Sequence, residues 1–227
     1  MPFIAPSILA ADWARFGEAL EVIQAAGASL VHVDVMDGHF VPGVSVGQPV
    51  VASLRKATEL PIEVHLLVER PERFVADFLQ AGADRLCVHV EATNQLSGIL
   101  GSIRGKGAKA GVAILVSTPL EAVNEVLGEI DFLTILCGKP QLKERREEFI
   151  PRAVEKIRRA IAVRADRRLD FAVQAEGGIG AGNFEELAAA GADILVVGSD
   201  IFNSADPRTR LTDMVRAAQR IQGTSVA

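Results

Sequence analysis

Cysteine is scarce. The 227-residue chain holds only Cys87 and Cys137, which excludes a disulfide scaffold and fits a reducing compartment. No sustained run of lysine or arginine is present and the formal net charge is −5, so neither nucleic acid nor an anionic membrane is expected as the main partner. No apolar stretch approaches the ~20 residues of a membrane helix. The start, Met1-Pro2-Phe3-Ile4-Ala5-Pro6, lacks the charged and apolar segments of a secretory signal. No linker or low-complexity segment interrupts the chain. A soluble, cytoplasmic protein with one domain over residues 1–227 is therefore expected.

Short apolar, β-branched runs are present almost from end to end. They fall at Phe3–Pro6, Leu30–Val35, Ile62–Leu67, Leu86–Val90, Ala110–Val116, Phe132–Leu136, Phe171–Val173 and Ile194–Val197. Continuous rather than alternating apolarity marks strands covered on both faces. Helical periodicity occupies 12–26, 71–81, 96–105, 120–127, 150–165, 183–190 and 206–222. Three junctions repeat an Ala-Gly stop, at Ala26-Gly27, Ala81-Gly82 and Ala190-Gly191, each leading into the next strand. Eight such units in about 200–250 residues match a closed (β/α)₈ TIM barrel. A doubly wound sheet would need a glycine-rich loop after its first strand, where Ser7-Ile8-Leu9-Ala10 stands instead.

Barrel chemistry sits at the C-terminal ends of the strands. His32 and Asp34 share one face of the second strand, and with Val31, Val33 and Val35 outward that face is the barrel interior. The third strand contributes His65, with Glu63 on the same face behind it, and Glu176 ends the seventh. Buried acids are costly unless paired or bound to a cation. His32, Asp34, His65 and Glu176 form a nitrogen–oxygen set suited to one divalent Zn, Mn, Fe or Co ion; the alternative is hydrogen-bonded structural use. Gly177-Gly178 after strand seven and Gly198-Ser199 after strand eight offer backbone N–H groups where barrels commonly hold phosphate. The charged segment Lys139–Glu148 reads as a solvated loop, with phosphate contact the lesser reading. Cys87 and Cys137 read as packing residues.

Three segments carry a family resemblance: Ile4-Ala5-Pro6-Ser7-Ile8-Leu9-Ala10-Ala11-Asp12, His32-Val33-Asp34-Val35-Met36-Asp37-Gly38-His39-Phe40-Val41-Pro42 and Glu63-Val64-His65-Leu66-Leu67-Val68. Together they resemble the ribulose-phosphate 3-epimerase family over nearly the whole chain. The resemblance implies a metal-dependent (β/α)₈ epimerase that inverts C3 of a ketose phosphate, D-ribulose 5-phosphate to D-xylulose 5-phosphate, through an enediolate. It implies His32, Asp34, His65 and Glu176 as metal ligands, with Asp34 and Glu176 as the acid/base pair. Ser7 and Met36 would contact substrate, Gly177, Gly178, Gly198 and Ser199 would hold phosphate, and the chain would form a homo-oligomer. Glu176 stands where the family has aspartate, Leu67 and Leu136 replace methionines, Leu115-Val116 replaces Asn-Pro, and Lys139–Glu148 replaces a glycine-rich clamp. These departures leave open a shifted ketose substrate or a catalytically silent paralogue.

Overall fold

The computed structural model describes residues 2–138 and 148–221. Eight strands run in chain order: β1 (Phe3–Pro6), β2 (Val31–Met36), β3 (Ile62–Leu67), β4 (Arg85–His89), β5 (Lys109–Leu115), β6 (Phe132–Leu136), β7 (Ala172–Glu176) and β8 (Ile194–Val197). All pairings are parallel, in the order β1-β8-β7-β6-β5-β4-β3-β2. A bridge between Ser7 and His32 brings the two outer strands together. The expected (β/α)₈ barrel is what forms.

The helices are α1 (Phe16–Ala25), α2 (Gln48–Ala57), α3 (Val75–Gln80), α4 (Leu96–Gly105), α5 (Ala153–Asp166), α6 (Phe184–Ala189), α7 (Ser199–Phe202) and α8 (Pro207–Ile221). Most fall where helical periodicity predicts them. The segment Leu120–Val126 winds as a tighter 3₁₀ helix. Helix α2 was not expected: it starts with a proline in its first turn after Gly47 and buries only Val51 and Leu54. Two buried positions in ten residues are too few to set up a visible period. The seventh strand ends at Glu176, as expected, beyond its apolar run Phe171–Val173. Gly27, Gly82 and Gly191 adopt positive φ at the Ala-Gly junctions, as helix stops before strands require.

Two cores follow from strand alternation. Outward residues such as Val31, Val33, Val35, Val64, Leu66 and Val88 pack with the helices into one large apolar layer. Inward residues stack inside the barrel. Its lower part holds Cys87, Ala113 and Phe132 in one cluster and Ala5, Leu30, Ile194 and Val196 in another. Phe132 fits because β5 carries glycine opposite it: a Cβ on Gly111 would lie 2.2 Å from Phe132 Cζ. Above these apolar layers the interior becomes polar, and it closes with an apolar cap of Met36, Val41, Leu67 and Leu136. The site lies between.

Candidate metal centre and active site

His32, Asp34, His65 and Glu176 all point into the upper barrel from β2, β3 and β7 and are buried. One ligand atom from each lies within 4.8 Å of every other. His32 Nε2 is 3.1 Å from Asp34 Oδ1 and 3.5 Å from Glu176 Oε2. His65 Nδ1 is 2.9 Å from Glu176 Oε1 and 3.5 Å from Asp34 Oδ1. The convergence follows from register: β2 and β3 pair Asp34 with His65, and the two-residue alternation puts His32 one step below.

A layer of hydrogen bonds orients the first of these rings. His32 Nδ1 meets Glu63 Oε1 at 3.0 Å. Gln174 Nε2 donates to the same oxygen at 2.6 Å and to Thr134 Oγ1 at 3.1 Å. Arg85 Nε donates to Glu63 Oε2 at 2.5 Å while its guanidinium lies 4.1 Å over the Phe132 ring. Burial alone would raise the Glu63 carboxyl, but His32 and Arg85 bring it down to about 2. Glu63 is therefore an acceptor, His32 donates from Nδ1, and Nε2 is the nitrogen presented to the cluster.

The imidazoles and carboxylates of the cluster shift one another strongly. Burial would lower both histidines, yet the carboxylates of Asp34 and Glu176 hold His32 well above its usual range. Burial is likewise outweighed at His65, where Glu176 and Asp34 raise it to about 9. Asp34 is held well below the carboxylate range against its own burial, by His32 and His65. Glu176 Oε2 is buried without a hydrogen-bond partner among the described residues. Two imidazoles, two acids and one unshared carboxylate oxygen fit a divalent cation: the set is the usual nitrogen–oxygen one, and positive charge removes the cost of burying both acids.

Of the sequence-predicted substrate contacts, Ser7 is placed on the cluster. Ser7 Oγ donates to Asp34 Oδ2 at 2.7 Å. Ser45 Oγ donates to the Asp34 carbonyl at 2.9 Å and accepts from Met36 N at 2.8 Å, fixing the end of β2. Gly177 and Gly178 follow β7 with φ of 94° and 66°. Gly198 and Ser199 follow β8, where a Cβ on Gly198 would come within 3.3 Å of the Ser7 carbonyl. Asp200 Oδ2 ties the two loops, accepting from Ala181 N at 3.2 Å and from Arg210 Nη2 at 2.5 Å. Over the mouth, Asp37 Oδ1 accepts from His39 N and Phe40 N, and Oδ2 accepts from Glu69 N at 2.8 Å. Met36 lies in the apolar cap with Leu67 and Leu136, and Leu115 packs against them. The charged segment after β6 lies outside the described residues up to 147.

Cys87 and Cys137 are buried, as expected for packing residues. Sequence reasoning missed His89 and Gln174. His89 ends β4 fully buried, its ring 5.0 Å from that of His65. The signal was there: Cys87 and His89 are two residues apart, so a strand with one inside has the other inside.

The family model described as "Ribulose-phosphate 3 epimerase family" matches residues 3–202. The chain belongs to this family. A ribulose-phosphate 3-epimerase of Mycobacterium leprae is 39% identical over 96% of this chain and 95% of its own. One of Treponema pallidum is 38% identical over 88% of this chain and 91% of its own. Among solved structures, 3-hexulose-6-phosphate synthase from Salmonella typhimurium covers 96% of this chain and 99% of its own, with a TM-score of 0.70 at 14% identity; that likeness is one of fold. Membership in the ribulose-phosphate 3-epimerase family makes the chain an isomerase of the carbohydrate-epimerase kind.

Proposed function

We propose that the chain is a metal-dependent epimerase that inverts C3 of a ketose phosphate, D-ribulose 5-phosphate to D-xylulose 5-phosphate, with Asp34 and Glu176 exchanging the proton. The observation that carries this reading is the group His32, Asp34, His65 and Glu176, whose ligand atoms lie within 4.8 Å of one another. These four residues would hold one divalent Zn, Mn, Fe or Co ion. When bound, the cation supplies positive charge that lowers the energy of a negative enediolate.

The chain's own residues do the rest. One carboxylate takes the proton from C3 on one face and the other returns a proton on the opposite face, so that the pair must start in different protonation states. Glu176 Oε2, free of hydrogen bonds among the described residues, is the oxygen able to accept or release that proton. Asp34 keeps its orientation through the Ser7 hydroxyl on Oδ2. Glu63 holds His32 by its far nitrogen, so that ring cannot turn its Nε2 away. Gly177, Gly178, Gly198 and Ser199 would take the phosphate on backbone N–H groups, with Asp200 and Arg210 keeping the two loops in register. Met36 and the aliphatic cap would keep water from the reacting carbons. The family supports a further reading of residues 1–227 as a single barrel domain, working in the cytoplasm as a homo-oligomer on a small sugar phosphate.

A second reading is a shifted ketose substrate, favoured by one observation: Leu67, Leu136 and Leu115 crowd around Met36 in the cap over the cluster. Elemental analysis of the purified protein, paired with a coupled assay across pentulose and hexulose phosphates, tests both. Bound metal with ribulose 5-phosphate turnover supports the first, and metal with turnover of another ketose phosphate supports the second. A metal-free, inactive protein overturns both.

A further inference from the structure

The two histidines of the cluster are held differently. His32 is gripped from behind by Glu63. His65 has no such hydrogen bond: its Nε2 is buried without a partner among the described residues. What lies against the His65 ring is His89, with centroids 5.0 Å apart and planes only 19° from parallel. Phe40, from the loop over the mouth, lies 4.8 Å from His89.

His89 is itself clamped. Its Nδ1 meets Glu91 Oε2 at 3.0 Å. Glu91 Oε1 accepts from Leu115 N at 2.8 Å and from the Thr118 hydroxyl. Lys156, a buried lysine on α5, donates to the carbonyls of Leu115 at 3.1 Å and of Thr118, pinning the end of β5 that holds Glu91. Burial would raise the Glu91 carboxyl, but hydrogen bonds led by the one from His89 bring it to about 2. A carboxylate only accepts, so Nδ1–H of His89 donates and the plane of the ring is fixed. A flat ring fixed in this way sets the plane of whatever ring stacks on it.

We propose that His89, clamped by Glu91, is a positioning residue for His65: its ring takes the place of the missing hydrogen bond and aims His65 Nδ1 at Asp34 and Glu176. The inference deepens the metal reading of the same site and rests on it. His89 touches no reacting atom in this account and acts only through His65.

The test is Co²⁺ binding to the purified, metal-stripped protein, followed by calorimetry and by the d–d absorption of the bound ion, with circular dichroism to establish that each variant is folded. His89→Ala is expected to weaken Co²⁺ binding about 10- to 100-fold, as loss of an orienting partner does, and to alter the d–d bands. His89→Phe, which keeps a flat ring, is expected to recover affinity to within about threefold of wild type. If His89→Ala does not fold, Glu91→Gln takes its place, with an expected weakening of about tenfold and altered bands. Wild-type affinity and bands in folded His89→Ala, or in Glu91→Gln where that variant replaces it, overturn the inference, as does a His89→Phe no better than His89→Ala. These results leave the metal reading intact, whereas wild-type protein that takes up no Co²⁺ removes both.

Discussion

Glu176 carries one methylene more than the aspartate that the family resemblance suggests, and the barrel accommodates it: Oε1 lies 2.9 Å from His65 Nδ1 and Oε2 3.5 Å from His32 Nε2. The longer side chain therefore stays in the cluster. Glu176→Gln keeps the shape and removes the proton exchange, so kcat is expected to fall about 10²- to 10⁴-fold in steady-state assays. A second residue-scale prediction concerns pH. His65, raised from 6.5 to about 9 in the folded chain, stabilises the metal-free protein fully below pH 6.5. That contribution is lost as pH rises through about 9, because the folded state then gives up a proton that the unfolded state has already lost. Urea titrations of metal-stripped protein at pH 6, 7.5 and 9 should show falling stability. The same protons compete with the cation, so metal affinity should rise over that interval.

At the scale of elements, β5 gives up a side chain at Gly111 so that Phe132 of β6 can fill the lower barrel, and Arg85 lies on that ring while it holds Glu63. Gly111→Ala forces Phe132 aside and is expected to cost about 1–3 kcal/mol by overpacking. A fall in Tm of about 2–12 °C in thermal unfolding would follow for a domain of this size. Strands and their inward faces were legible in the sequence because continuous apolar runs and two-residue alternation are local signals. Hence His32, Asp34, His65 and Glu176 could be placed before any coordinates. Helix α2 was not legible, since only Val51 and Leu54 are fully buried, with Val50 partly buried beside them. Nor was the role of His89, which lies inside an apolar run and gains meaning only from the His65 ring on the neighbouring strand. Gln174 escaped for the same reason: its partners Glu63 and Thr134 are 111 and 40 residues away in the chain.

For the whole molecule, the barrel turns eight weakly similar strand–helix units into one buried polar chamber, with an apolar cap above it and apolar layers below. Folding and cation binding should then be coupled, because the unfolded chain has no preformed site. Saturation at a thousandfold over Kd would stabilise the protein by about 4 kcal/mol. The expected rise in Tm is about 8–16 °C over chelator-treated protein, measured by calorimetry, and His32→Ala should abolish most of that rise. The central claim is that Asp34 and Glu176 exchange a proton at C3 of a ketose phosphate beside a bound cation. Incubation of the metal-loaded protein with ribulose 5-phosphate in D₂O, followed by proton NMR, tests it most directly. The account predicts deuterium at C3 in the xylulose 5-phosphate formed and in the ribulose 5-phosphate recovered; full metal occupancy with no deuterium at C3 would contradict it.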